Sequence, residues 1–232
     1  MILIGIGGKA RAGKDTMAQA MLDLYPDKVK LYSFAAELKK YCAEHHDELL
    51  PKWQLAHQTK QHPICKEDPI YGYTAILQWW GTDVMRKQDP DYWVKQLANR
   101  ITQDDPAIAV ITDVRFPNEA NWVKEKGGTL IRVRRLEPDG TLYLDPSRDP
   151  KHISETSLEN YDSWTYDISA QSGDVKNLQT WARAILEYAI DFADIQDDGP
   201  AEAYFSAYFS EYGRDGIVLT EHPDSDPTGF YN

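Results

Sequence analysis

Apolar positions along the chain fall into short runs and helix-spaced stretches that alternate from the first residue. Met1–Ile6 is an isoleucine-rich apolar run, the pattern of a strand buried on both faces of a parallel sheet. A glycine-rich turn, Gly7-Gly8-Lys9-Ala10-Arg11-Ala12-Gly13, follows it. Lys14–Tyr25 then places Met17, Ala20, Met21 and Leu24 on one helical face, and Pro26 closes the unit. Val29–Phe34 predicts a second strand, and Ala35–Leu50 a helix carrying Leu38, Tyr41, Cys42 and Leu49. Pro51, Pro63, Pro69 and Gly72 predict loop with short helical pieces over 51–72. Tyr73–Arg86 and Asp91–Thr102 predict helices, the second opened by Asp89-Pro90-Asp91. Ala107–Ile111 is an uninterrupted apolar strand ending in Thr112-Asp113. Pro117–Lys126 predicts a helix stopped by Gly127-Gly128, and Thr129–Val133 another strand. Thr156-Ser157-Leu158-Glu159 has capping-box spacing, Tyr161–Ile168 turns strand-like, and Lys176–Phe192 predicts a long amphipathic helix. Strand, glycine turn, helix and then alternating strands and helices predict an α/β fold on a parallel sheet.

At 232 residues the chain has room for one large domain or two small ones. Its apolar runs fall far short of the ~20 residues of a membrane span. The opening residues lack the basic flank of a secretory leader and read as a strand. Two cysteines, Cys42 and Cys65, cannot build a disulfide framework or a Cys-rich zinc site, which favours a reducing cytoplasm. The net charge of −12 argues against general binding to nucleic acid, while leaving room for a small anion in a locally basic pocket. Residues 197–232 hold eight acidic residues and one arginine, so most of that charge sits in a tail. The tail reads either as disordered or, through Tyr204-Phe205 and Tyr208-Phe209, as a packed helical turn; it is expected to lie outside the active site.

Candidate chemistry centres on Gly8-x-x-x-x-Gly13-Lys14-Asp15-Thr16, set between the first strand and the first helix. Glycines let backbone N–H groups turn inward around polyphosphate, and the helix N-terminus adds partial positive charge. Lys14 reaches the outer phosphates, and Lys9 and Arg11 add charge to the loop. The strict motif has Ser or Thr directly after the lysine; here Asp15 stands there and Thr16 one later. Asp113 ends an apolar strand at the sheet edge where α/β ligands bind, either near magnesium, as an anchor for Arg115, or simply as a cap of the next helix. Arg115 and Glu119, four apart, are spaced to pair. Arg86, Arg132, Arg134, Arg135 and Arg148 supply further positive charge. Trp79, Trp80, Tyr92 and Trp93 suit either base stacking or the core, and His45-His46 read as solvated.

In this order the motifs resemble the phage-type deoxynucleoside monophosphate kinases, a branch of the P-loop kinases. The resemblance rests on Gly13-Lys14-Asp15-Thr16, on Leu77-Gln78-Trp79-Trp80-Gly81-Thr82-Asp83-Val84-Met85-Arg86 with Asp89-Pro90-Asp91-Tyr92-Trp93, and on Asp113-Val114-Arg115-Phe116-Pro117-Asn118-Glu119-Ala120. Asp149-Pro150-Lys151-His152-Ile153-Ser154-Glu155 is a weaker fourth segment. It implies a P-loop NTPase-type three-layer fold over 1–196, with a helical acceptor-binding insertion over about 35–105, a lid over about 134–160, and the acidic tail outside. It implies transfer of the γ-phosphoryl of ATP to the 5′-phosphate of a deoxynucleotide, in the host cytoplasm if the chain is phage-encoded.

In that reading Gly8, Lys9, Arg11, Gly13, Lys14 and Thr16 hold ATP, and Asp15 and Thr16 lie near Mg2+. Lys14, Asp15, Asp113 and Arg115 carry catalysis. Gln78, Arg86, Trp93, Asp113, Arg115 and Glu119 serve the acceptor, with Arg132, Arg134 or Arg135 on the lid. The family's basic residues before Leu-Gln are replaced by neutral Tyr73-Thr74-Ala75, which bears on the acceptor range. A phosphomevalonate-type kinase and a P-loop switch or assembly ATPase share parts of the pattern. The arginine-rich acceptor side favours a kinase, and the aromatics favour a base-bearing acceptor. A monomer and a homodimer both remain open.

Overall fold

The computed structural model describes residues 1–56, 76–77, 79–146 and 150–194. Gln78, Arg148, Cys65 and the tail 197–232 lie outside the described residues. The chain divides into two compact units, one of residues 1–31 with 107 onward, the other of residues 32–106.

The first unit is built on a five-stranded sheet of order β2-β3-β1-β4-β5. Its strands are β1 (Ile2–Gly7), β2 (Val29–Tyr32), β3 (Ile108–Val114), β4 (Thr129–Leu136) and β5 (Tyr166–Gln171). β1 pairs in parallel with β3 on one side and β4 on the other, and β4 pairs in parallel with β5. This is the α/β architecture of a P-loop NTPase, as its strand–turn–helix opening predicted.

Period-two alternation assigns the two faces of β1. Ile4 and Ile6 are fully buried in one core with Val110, Ile131, Val133 and Ile168. Met17 and Met21 of α1 (Lys14–Leu24) and Leu178, Trp181 and Ile185 of the long C-terminal helix Val175–Asp194 close that core. On the opposite face a Cβ at Gly5 would lie 3.0 Å from Val123, which belongs to the helix Pro117–Glu125. Helices thus cover both faces of the sheet, as parallel strands require.

The second unit contains α2 (Phe34–Glu44), α3 (His46–Ala56) and α4 (Tyr92–Asp104), with a π-type helical stretch Trp79–Met85 running into a turn at Arg86–Gln88. The remaining helices of the first unit are α5 (Pro117–Glu125), α6 (Ile153–Thr156) and α7 (Val175–Asp194). The single helix expected over Ala35–Leu50 is broken at His45. There the imidazole stacks on Tyr41 with ring centroids 4.1 Å apart and its Nδ1 lies 2.9 Å from the Tyr41 carbonyl, so this histidine is not merely solvated. α3 then continues through Pro51, where loop was expected.

Two further boundaries shift. β4 runs on to Leu136, so Arg132, Arg134 and Arg135 are strand residues, and the lid expected from 134 begins inside the sheet. Thr156, at the head of the capping-box spacing, closes a helical turn instead: in Ile153–Thr156 the N-cap is His152, which accepts the Ser154 N–H at Nδ1, 3.2 Å away.

Ile131, fully buried at the centre of β4, tests this packing. Ile131→Ala is expected to cost about 2–5 kcal/mol, read as a lowered denaturant midpoint at unchanged slope.

Candidate active site

Register brings the chemistry together. Gly7, the last residue of β1, lies opposite Val114 of β3 and opposite Arg132 of β4. The loop 8–13 therefore leaves the sheet between Asp113-Val114-Arg115 on one side and the basic end of β4 on the other. β1 is flanked by strands from elsewhere in the chain, the switch-point position where α/β sheets bind ligands.

The loop's glycines are required by contact as well as by conformation. Gly8 and Gly13 have φ of 140° and 103°. A Cβ on Gly8 would sit 2.3 Å from the Val133 carbonyl, and one on Gly13 2.6 Å from Leu178. Arg11 takes the left-handed region at φ 55° without being glycine, a strain of the kind found at ligand-binding loops. Its guanidinium, largely exposed, pairs with buried Asp145 at 3.2 Å.

Lys14 opens α1 and is only 5% exposed. Its Nζ reaches back across the loop to the Lys9 carbonyl at 2.7 Å. Burial lowers its pKa to about 8, helped by the Arg115 guanidinium, while the carboxylates of Asp15, Glu155 and Asp113 oppose the shift. Four of the predicted residues, Lys14, Asp15, Asp113 and Arg115, thus share one electrostatic neighbourhood. Asp15 is exposed in the first turn of α1, Thr16 beside it is half-buried, and Asp113 is half-buried on β3.

Arg115 and Glu119 do not pair as their spacing suggested. Glu119, buried in the first turn of α5, accepts the backbone N–H groups of Arg115 at 2.7 Å and Phe116 at 3.1 Å. It caps the helix and fixes the strand–helix corner. The Arg115 guanidinium is held instead by Glu155, whose Oε1 accepts from Nη1 at 2.8 Å.

Glu155 was not singled out from sequence. The only signal was its place at the end of the weak fourth segment. Its Oε2 accepts the Ala10 N–H at 2.9 Å, and Lys9 Nζ reaches the Glu155 carbonyl at 3.2 Å and the Glu159 carboxylate at 2.7 Å. A cavity of about 370 Å³ opens beside the loop, lined among others by Lys9, Arg115, Arg134, Tyr143, Glu155 and Trp164. Along its β4 wall Arg132 and Arg134 both donate to Asp167 Oδ2 on β5, and Arg132 lies over the Trp164 ring at 5.4 Å. Arg135 lies over Tyr143 at 3.9 Å.

Two predicted acceptor residues belong to the second unit. Trp93 is buried there, with its indole N–H donated to the Gly81 carbonyl at 3.0 Å and Tyr92 edge-on at 4.8 Å. Arg86 is half-buried at the start of its turn. Trp80 stacks on Tyr41 and packs beside Trp79, both at 5.7 Å.

The phosphomevalonate kinase family model matches residues 6–129, more than half of the chain. A putative deoxynucleotide monophosphate kinase of Acanthamoeba polyphaga mimivirus is 32% identical over 185 residues, covering 70% of this chain and 86% of the relative. The chain belongs to the deoxynucleoside monophosphate kinases. The deoxynucleoside-5′-monophosphate kinase of Escherichia phage T5 is 27% identical over 226 residues, covering 69% of this chain and 90% of that protein. Among solved structures, TT1252 from Thermus thermophilus overlaps 80% of this chain and 96% of its own at a TM-score of 0.43 and 14% identity, a likeness too loose to argue from. As a member of a kinase family the chain is a phosphotransferase.

The lysine's position gives a pH test. A bound polyphosphate favours charged Lys14, whereas in the free protein the ammonium loses its proton near pH 8. Affinity for a non-hydrolysable ATP analogue is therefore expected to fall as pH rises through about 8, with proton uptake on binding above it. Calorimetry in two buffers of different ionisation enthalpy reads the uptake, and Lys14→Met should abolish it.

Proposed function

We propose that this kinase transfers the γ-phosphoryl of ATP to the 5′-phosphate of a deoxynucleoside monophosphate. One observation carries the reading: the donors at the sheet edge, Ala10 N–H, Lys9 ammonium and Arg115 guanidinium, already gather carboxylate oxygens, so the site is built for oxyanions. The names of the mimivirus and phage T5 relatives support the acceptor class.

Phosphoryl transfer asks the protein for positioning and charge neutralisation more than for covalent help. In this reading the loop amides cradle the donor phosphates, and Lys14 neutralises charge on the phosphoryl in transit. Arg115 offers the planar fork that matches phosphate oxygens bidentately, on the acceptor side of the transferring group. Glu119 keeps the corner rigid, so the fork leaves the strand at a fixed place.

Mg2+ takes oxygen ligands and needs only one or two carboxylates beside phosphates and water. The Thr16 hydroxyl and the Asp15 and Asp113 carboxylates fit that preference, and both acids act on Lys14. When bound, the ion neutralises phosphate charge.

Among the described residues no helix is long and apolar enough to cross a membrane. Cys42 is free and buried, its thiol pKa pushed up to about 11 by burial, which suits a reducing cytoplasm.

The family-model match keeps one second reading, a phosphomevalonate acceptor. A coupled assay of ADP release over a panel of dNMPs, NMPs and phosphomevalonate decides between them. Turnover with one or more dNMPs is expected, and turnover with phosphomevalonate alone would sink the deoxynucleotide reading.

Lys14→Ala is expected to lower kcat by about 10²–10³. Arg115→Ala should raise KM for the dNMP or lower kcat while ATP-analogue affinity stays within a few-fold, and Arg115→Lys should still be impaired. Collapse of analogue affinity at an unchanged dNMP KM would move Arg115 to the donor side.

A further inference from the structure

Several of the loop's donors are held by the chain itself. Glu155, with a side chain 7% exposed, puts one carboxylate oxygen on the Ala10 N–H and the other on the Arg115 guanidinium. Its carbonyl and the Glu159 carboxylate take Lys9, and Lys14 is folded onto the Lys9 carbonyl. A carboxylate spanning a loop amide and a guanidinium makes the contacts that two oxygens of one phosphate would make. Both cannot be there at once. A phosphate drawn to Ala10 would meet a buried like charge, and like charges at contact distance repel strongly away from water.

We infer that Glu155 is a positioning residue of the nucleotide site: its carboxylate stands in a phosphate position between Ala10 and Arg115, and the incoming polyphosphate displaces it from the Ala10 N–H, which releases the Arg115 guanidinium to the acceptor phosphate. The inference rests on the phosphate reading of the loop under Proposed function and not on the identity of the acceptor.

Two features make the exchange feasible. α6, which carries Glu155, is a single four-residue turn, and its Ile153 is 53% exposed, so shifting it uncovers little apolar surface. The arginine released in the exchange borders the cavity, where an acceptor phosphate offers it a second oxyanion. Until that happens Arg115 is parked beside the loop, and the loop is closed to weaker anions. The tethered carboxylate competes at high effective concentration. The apparent nucleotide affinity is the intrinsic affinity scaled by the fraction of molecules in which Glu155 has left.

A plain structural brace would act in the opposite direction, since removing a brace loosens the loop at Ala10 and weakens binding. Titration calorimetry of tripolyphosphate, and of a non-hydrolysable ATP analogue, against the full chain separates the two. Glu155→Gln keeps the shape and removes the charge, and is expected to bind tripolyphosphate about tenfold more tightly. Glu155→Ala should also bind more tightly, whereas Glu155→Asp, which keeps the charge, should stay near the original protein. In thermal unfolding, Glu155→Gln should start lower without ligand and rise further with tripolyphosphate. Unchanged or weaker binding by folded Glu155→Gln and Glu155→Ala overturns the inference while leaving the kinase reading in place. Failure of tripolyphosphate to bind any of the four proteins removes the phosphate reading of the loop and the inference with it.

Discussion

Parallel pairing on both sides of β1 is the constraint from which the rest of the site follows. Because Gly7 sits level with Val114 and with Arg132, the loop that leaves β1 emerges between one strand end bearing Asp113 and Arg115 and another bearing guanidinium groups. Crowding at that point dictates the glycines. A Cβ at Gly7 would lie 2.5 Å from the Trp164 ring, and one at Gly8 would meet the β4 backbone. The Gly7-Gly8 pair is thus a packing requirement of the sheet, whatever else the loop does.

A basic site in a chain of net charge −12 has to be held together by local pairing. Five cations near the loop have an acid from a distant part of the chain: Lys9 with Glu159, Arg11 with Asp145, Arg115 with Glu155, and Arg132 and Arg134 with Asp167. Pairing offsets the desolvation that a partly buried charge suffers, though it adds little net stability. The exception is instructive. Asp167 places two arginines on one oxygen and leaves Oδ1 buried without a hydrogen-bond partner. One carboxylate shared by two guanidinium groups leaves the β4 wall with surplus positive charge where it borders the cavity.

Legibility in the sequence followed the range of the interaction. β1, α1, β3 and α5 were readable because each is set by neighbours in sequence: an apolar run, a helical stripe, a glycine stop. The β4 strand was read as ending at Val133, which put Arg134 and Arg135 in a lid from about 134. They belong to the strand because Asp167 and Ser172 of a later segment satisfy them. Glu119 was given the wrong partner for a similar reason, since four-residue spacing fits both a guanidinium and the backbone amides it accepts. Glu155 lies 145 residues from Ala10, and no local pattern announces a carboxylate that closes a loop from that distance. Trp93 and Arg86, expected to serve the acceptor, lie in the second unit, whose helices carry no periodic mark of ligand contact.

Lys14 shows how acids near and far in sequence act on the residue that the short motif singled out. Burial and, after it, Arg115 favour loss of its proton. Asp15, Asp113 and Glu155 oppose them from three separate segments, and the balance rests near 8. The lysine is therefore mostly charged at neutral pH while already stripped of water. A group in that condition does not have to shed solvent when charge develops beside it, which is where preorganised electrostatic stabilisation has its largest effect. Asp15, in the place where the strict motif has a hydroxyl, contributes to that balance, so the departure from the motif leaves the lysine supported. It changes which atoms surround the cation and leaves the cation in place.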